Sequence, residues 1–207
     1  MVDNIADFAE RLNAPGAKLD EAWERYHNPH HPWHKALRER FAWVASHIRG
    51  PRFLDVGCSN GVGLLVASGV SGVEALTGVD LCRAMIGQAA KNLASVGLAA
   101  GITLIVAPAE ALPLANESFD TVFMGEVLEH VLNVERAVAE AVRVLRHGGR
   151  LIVTVPDGGK VSKDHLRTFR AESIGMLCAD AGIEMRLIHA MPAAANHTWL
   201  CLVGRKR

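Results

Sequence analysis

Phe53-Leu54-Asp55-Val56-Gly57-Cys58-Ser59-Asn60-Gly61-Val62-Gly63 runs from an apolar strand pattern into a helical one through a turn that carries three glycines. Glycines at such a turn let the backbone approach a ligand closely and leave amide groups available at a helix start. The dinucleotide fingerprint needs G-x-G-x-x-G, whereas the pattern from Gly57 is G-x-S-x-G-x-G, and from Gly61 the third glycine position holds Val66. The spacing disfavours NAD and FAD.

Around this turn, short apolar runs alternate with helical patterns, the sign of a parallel sheet with crossover helices. The strand candidates are Arg52 to Val56, Ala75 to Val79, Ile102 to Val106, Phe119 to Met124 and Leu151 to Val155. Helices are expected over Val62 to Val70, Cys82 to Val96 and Val134 to Arg146; in the last, Val134, Val138, Val142 and Leu145 recur at three- or four-residue spacing. Gly148-Gly149 offers a left-handed stop after that helix. A further helix near Glu172 to Ala181 precedes strands near Ile183 to Ile188 and Thr198 to Val203. The Pro192 to His197 connection is too short for a helical crossover, so this last pair should be antiparallel. The expected fold is α/β, a Rossmann-like, doubly wound, seven-stranded sheet: five parallel strands plus a C-terminal antiparallel hairpin. Residues 1–50 show no strand pattern and read as an N-terminal helical flank or lid on the sheet domain over 51–207.

At 207 residues the chain suits a single domain, with 50% apolar and 21% charged residues. Lys plus Arg and Asp plus Glu both number 22, so no global field favours nucleic acid or an anionic membrane. The basic end, Gly204-Arg205-Lys206-Arg207, reads as a solvated tail. Cys58, Cys82, Cys178 and Cys201 are far apart and form no CxxC pair, which fits a reducing compartment. The acidic Met1-Val2-Asp3-Asn4-Ile5-Ala6-Asp7 lacks a signal-peptide pattern, and no apolar stretch approaches membrane-spanning length. A cytoplasmic protein, monomer or homodimer, is expected.

Asp55-Val56-Gly57-Cys58-Ser59-Asn60-Gly61-Val62-Gly63 resembles the first motif of class I methyltransferases that use S-adenosylmethionine (SAM), usually D-x-G-C-G-x-G-x-G, with Ser59 replacing the middle glycine. The resemblance continues in Ala107-Pro108-Ala109-Glu110-Ala111-Leu112-Pro113, similar to D-A-E-x-L-P, and in Arg143-Val144-Leu145 through Gly148-Gly149-Arg150-Leu151, similar to R-V-L-x-P-G-G-x-L. Pro108 and His147 are the departures there. It implies SAM as cofactor, with Asp55, Gly57, Cys58, Ser59 and Gly61 around its methionine part. It also implies Asp80, 25 residues past Asp55, with Leu81 at the ribose, and the Ala109 amide and Glu110 beside adenine. A carboxylate at the end of a strand can accept both ribose hydroxyl protons, although an Asp there can instead cap the next helix.

Gly125-Glu126-Val127-Leu128-Glu129-His130-Val131 leaves the fourth strand at the carboxyl edge of the sheet, where open α/β folds bind ligands. If it begins a helical turn, Glu126, Glu129 and His130 share a face. The segment is similar to E-V-L-E-H-V of methyltransferases related to ubiquinone biosynthesis, which makes His130, with Glu126, the catalytic candidate and His130 the general base. In a related reading Glu126, Glu129 and His130 hold a divalent cation, and in a bland one Glu129 and His130 only close the turn over SAM; no metal ligand is assigned. His165, in Asp164-His165-Leu166-Arg167-Thr168-Phe169, either reaches the acceptor or anchors its loop. Trp23, Tyr26 and Trp33 are either acceptor walls or flank packing, and the His27, His30, His31 and His34 run has prolines that disrupt ligand spacing. The expectation is transfer of a methyl group from SAM to a small-molecule acceptor, by O-methylation. The alternatives are N- or C-methylation, or a SAM-binding module without catalysis.

Overall fold

Alternate residues along the strands enter two different apolar clusters, and that alternation makes a layered fold. In a computed structural model, which describes residues 4–14, 21–158, 165–194 and 197–207, β1 (Arg52–Val56) sends Leu54 and Val56 to one face and Phe53 to the other. β4 (Phe119–Gly125) splits Val122 and Met124 from Phe123, and β5 (Leu145–Pro156) splits Leu151, Val153 and Val155 from Ile152. One face is covered by α6 (Val134–Val144) and α7 (Ala171–Asp180). The other lies under α3 (His34–His47), α4 (Val62–Ser68) and α5 (Arg83–Ser95). Both faces being buried explains why the strands read as continuous apolar runs.

With β2 (Ala75–Asp80), β3 (Ile102–Val106), β6 (Ile183–Pro192) and β7 (Thr198–Lys206), the sheet has the order β3-β2-β1-β4-β5-β7-β6. β1 to β5 are parallel, and β7 pairs antiparallel with both β5 and β6. The seven-stranded sheet with its terminal hairpin is thus the expected one. The order of strands reverses between β1 and β4, whose following connections run to opposite sides, and this opens the ligand-binding crevice at their carboxyl ends. Part of the β6–β7 connection, 195–196, and the Asp164 that precedes His165 lie outside the described residues.

Two local expectations are corrected. The helix over Val134 to Arg146 ends at Val144, because the amides of Glu117 and Ser118 take the carbonyls of Arg143 and Val144. Leu145 then pairs with Phe119, and the extra residues before Arg150 bulge through Gly148 at φ 71°, so this glycine shapes a strand and not a helix stop. The basic end is not a solvated tail as far as Lys206: β7 runs through it, and Lys206 Nζ donates to Leu145 O at 2.7 Å. His147 stands exposed beside Glu117, near the start of β5 and far from the crevice at its carboxyl end.

The N-terminal segment forms α1 (Ile5–Leu12), α2 (Ala22–His27) and α3, and Leu37, Phe41, Val44 and Ile48 from α3 and its end join the same cluster as Phe53 and Phe123. Among the described residues, no helix is long and apolar enough to cross a membrane.

Candidate active site

Asp55 ends up 3% exposed because it is the one acidic residue in a strand buried on both faces. Burial pushes its carboxyl well above the usual range, the nearby Asp80 pushes it further, and Arg40 pulls it back. The chain leaves β1 through Gly57 at φ 74°, Ser59 at φ 47° and Gly61 at φ 95°. A Cβ on Gly57 would stand 2.6 Å from Val127 Cγ2, so position 57 requires glycine on both counts. Gly57→Ala should therefore cost about 1–3 kcal/mol, read as a lower denaturation midpoint, and an unchanged midpoint would contradict this packing. Ser59 occupies the left-handed conformation for which the family pattern has glycine, and its amide is held by Asp80 Oδ2 at 2.8 Å.

Asp80 Oδ1 accepts from the Cys82 amide at 2.8 Å, so one carboxylate fastens both the glycine-rich loop and the start of α5. This bond holds the residue before α5 and does not cap the helix, whose N-cap is Cys82 and has no side-chain cap. Leu81 follows on the same rim, where Asn13 after α1 reaches Leu81 O and accepts from the Arg83 amide. The Cys58 thiol is turned into the core, 2.8 Å from the place of a Cβ on Gly78, and burial raises its pKa. Gly61 begins α4 without a side-chain cap.

The segment after β3 is pinned to α6. Glu110 is buried and accepts from the amides of Leu132 and Asn133, and its carbonyl accepts from Arg136 Nε. Its carboxylate is therefore used in the chain's own turn, while Ala109 lies buried beside it. Arg143 donates to the carbonyls of Leu112 and Leu114, so the R-V-L segment acts by fixing the loop after β3.

Asp55, Gly57, Cys58 and Ser59 form one wall of a cavity of about 630 Å³. Gly61, Asp80, Leu81, Ala109 and Glu110 lie outside its walls. Glu126, His130 and His165 also line the cavity, and Trp33, Leu37, Arg40 and Phe41 contribute to it from α3 and the residue before it. Trp33 is thus a cavity wall, 5.9 Å from the Trp199 ring, whereas Tyr26 packs edge-on against Phe41 and Trp23 lies against His27.

Glu126, Glu129 and His130 do not share a helical face. Residues 128–130 form a turn closed by the His130 amide on Val127 O, and Glu126 precedes it at φ 56°, which re-aims its side chain. Its carboxylate faces Arg40, 3.4 Å away, and accepts from Trp199 Nε1 at 2.9 Å; the Arg40 guanidinium in turn stacks 4.4 Å from the Trp199 ring centroid. Glu129 and His130 instead meet His165: the imidazoles stand 4.9 Å apart, edge to face. Leu166 N donates to Glu129 O at 2.8 Å, and Arg167 donates to the carbonyls of Leu128, Val131 and Leu132, so the two loops are docked as a unit. Arg167 anchors that loop, and His165 lines the cavity. Among the described residues, the upstream histidine run forms no metal-capable cluster.

Arg40 and Trp199 carry no sequence signal as site residues and join Glu126 only through the fold. Arg167 lies two residues after His165, so the segment that offers His165 also holds the residue that fastens it. Asp55 also sets a prediction with a definite sign. A carboxyl whose folded-state pKa is raised contributes stability that is present below its unfolded pKa and is lost as pH rises through the folded one. Asp55→Asn should therefore melt higher than the parent at pH 8, on the order of 1 kcal/mol or about 2–4 °C, with the gap closing toward pH 4. A gap that is absent or independent of pH would contradict the burial of this charge.

The loop and its two acids suit SAM. Burial and the neighbouring Asp80 raise the cost of ionising Asp55, which a cationic ligand relieves, and Gly57 and Gly61 leave backbone at the cavity and its rim with no side chain in the way. Residues 54–153 match the family described as a methyltransferase domain. A ubiquinone biosynthesis O-methyltransferase of Azoarcus sp. (strain BH72) is 27% identical over 216 residues, covering 92% of this chain and 84% of that protein. The ubiquinone/menaquinone biosynthesis C-methyltransferase UbiE of Geotalea daltonii is 28% identical over 157 residues, or 74% of this chain; the chain spans 60% of that relative's length. Among solved structures, the [4+2]-cyclase SpnF superposes with a TM-score of 0.74 at 22% identity, covering 84% of this chain and 83% of that one. Sheet order, loop, acids and sequence matches agree: the chain belongs to the class I SAM-dependent methyltransferases, whose cofactor is SAM.

Proposed function

We propose that this chain methylates a hydroxyl oxygen of a small molecule and releases S-adenosylhomocysteine. The observation that carries the reading is one cavity whose walls include both the glycine-rich cofactor loop and the His130–His165 pair. SAM supplies a methyl group on a sulfonium, open to in-line attack. The protein's part is to align the acceptor and manage its proton. The acceptor oxygen forms the new C–O bond as the S–C bond breaks, with the electron pair left on sulfur, and the hydroxyl proton passes to His130.

The closing face comes from the N-terminal helices, so we assign residues 1–50 as a lid on the domain formed by 51–207. Trp33, Leu37 and Phe41 suit an apolar acceptor body. Arg40 is buried, and its Nε has no acceptor among the described residues, which offers a donor to an oxygen-bearing ring or chain. On the cofactor side we assign Asp55, Gly57, Cys58, Ser59 and Gly61 to the methionine part, Asp80 and Leu81 to the ribose, and the Ala109 backbone with neighbouring Glu110 to the adenine side.

Relatives that methylate oxygen and carbon both match the chain, so the atom methylated is the point to test. Incubation with methyl-labelled SAM and a panel of small phenols, catechols, amines and activated methylene compounds reads it directly. Label on the hydroxyl compounds is expected, with one S-adenosylhomocysteine per methyl. Label only on nitrogen or carbon, or SAM binding with no transfer to any of them, would overturn the reading.

A further inference from the structure

Glu129 is the least explained group near the cavity. It is 1% exposed, and both carboxylate oxygens are buried without a hydrogen-bond partner. A carboxylate sealed away in this manner is costly unless something positive meets it. Two imidazoles stand beside it: one carboxylate oxygen of Glu129 and one nitrogen each of His130 and His165 lie within 4.8 Å of one another. Ligand atoms around one tetrahedral ion stand about 3.3–3.6 Å apart, given metal–ligand distances near 2.0–2.2 Å, so small side-chain rotations close the set.

The geometry points to a divalent transition-metal site formed by Glu129, His130 and His165. Two imidazoles and one carboxylate suit Zn²⁺ and its neighbours, whereas Mg²⁺ and Ca²⁺ prefer oxygen ligands. The ligands come from two loops already docked by the Leu166–Glu129 backbone bond and by Arg167, so the site is held before any ion arrives. Glu129 is the buried ligand, while His130 and His165 line the cavity. Three protein ligands with an open side toward the cavity make the pattern of a catalytic site and not of a closed structural one.

The purpose of such a site rests on the hydroxyl-methylation reading, which it refines. A hydroxyl bound at the open position loses its proton to water, because the cation stabilises the oxyanion, and the oxygen then takes the methyl group as S–C breaks. His130 then serves as a ligand and no longer as the base.

Metal binding is measured without methyl transfer, so the two readings can fail separately. The chelated full-length chain is titrated with Zn²⁺ by calorimetry and with Co²⁺ by visible absorption. One ion per chain is expected, with affinity falling at least tenfold in Glu129→Gln and in His165→Gln. Glu129→Gln removes a buried charge and should melt no lower than the parent, which keeps the comparison between folded proteins. No stoichiometric ion, or affinity unchanged in both variants, overturns the site. Binding that behaves as expected establishes it, even if no hydroxyl compound is methylated.

Discussion

Asp80→Ala is expected to weaken S-adenosylhomocysteine binding about 100-fold or more, roughly 3 kcal/mol, as two charge-assisted hydrogen bonds to the ribose are lost. The substitution also removes the acceptor from the amides of Ser59 and Cys82, both at 2.8 Å, and so loosens the loop and the first turn of α5 together. Asp80→Asn separates these effects. It keeps a side-chain oxygen for one amide but loses the charge and half the accepting capacity, so its affinity should fall between the parent and Asp80→Ala. Calorimetry reads the affinities, and thermal melts without ligand read the loop contribution. Unchanged affinity in Asp80→Ala would remove this residue from the ribose site.

His130→Ala should lower kcat by about 10²–10⁴-fold, the range that a positioned proton-transfer group contributes, with little change in SAM affinity. The separation follows from placement: His130 lines the cavity from the segment after β4, outside the glycine-rich loop, and its ring meets that of His165. Loss of turnover is expected whether His130 takes the proton or holds an ion, and two further readouts tell these apart. If it is the base, the variant's rate should climb with pH and chelation of the parent should be harmless. If it is a ligand, chelation alone should reproduce the loss. An unaltered kcat would exclude both.

The parts of the molecule legible from sequence are those encoded by local pattern. Strand–turn–helix alternation reveals the sheet because burial on both faces forces continuous apolar runs, and the Asp55–Gly63 spacing separates this loop from the dinucleotide type. Ser59 and Pro108 depart from the family pattern, and the structure shows why the first is tolerated: its amide is tied to Asp80 despite a positive φ. The start of β5 is masked in the sequence because helical periodicity continues through Leu145, while the competing bonds come from Glu117 and Ser118 on another segment. Long-range pairing is invisible to periodicity.

The Glu126 cluster is illegible for the same reason. Trp199 is 73 residues from the carboxylate it binds, and Arg40 comes from a helix with no motif at all. Spacing suggests that Glu126, Glu129 and His130 share a face, but a shared face needs helical dihedrals, which the positive φ of Glu126 denies. His165 takes the third place instead, delivered by a loop that Arg167 fastens to the turn.

A crystal structure with S-adenosylhomocysteine bound would test the assigned geometry most directly. The ribose hydroxyls are expected on Asp80, the amino group near Asp55 and the sulfur facing His130 and His165 across the cavity. A ligand bound elsewhere, or a sulfur turned away from that pair, would contradict it.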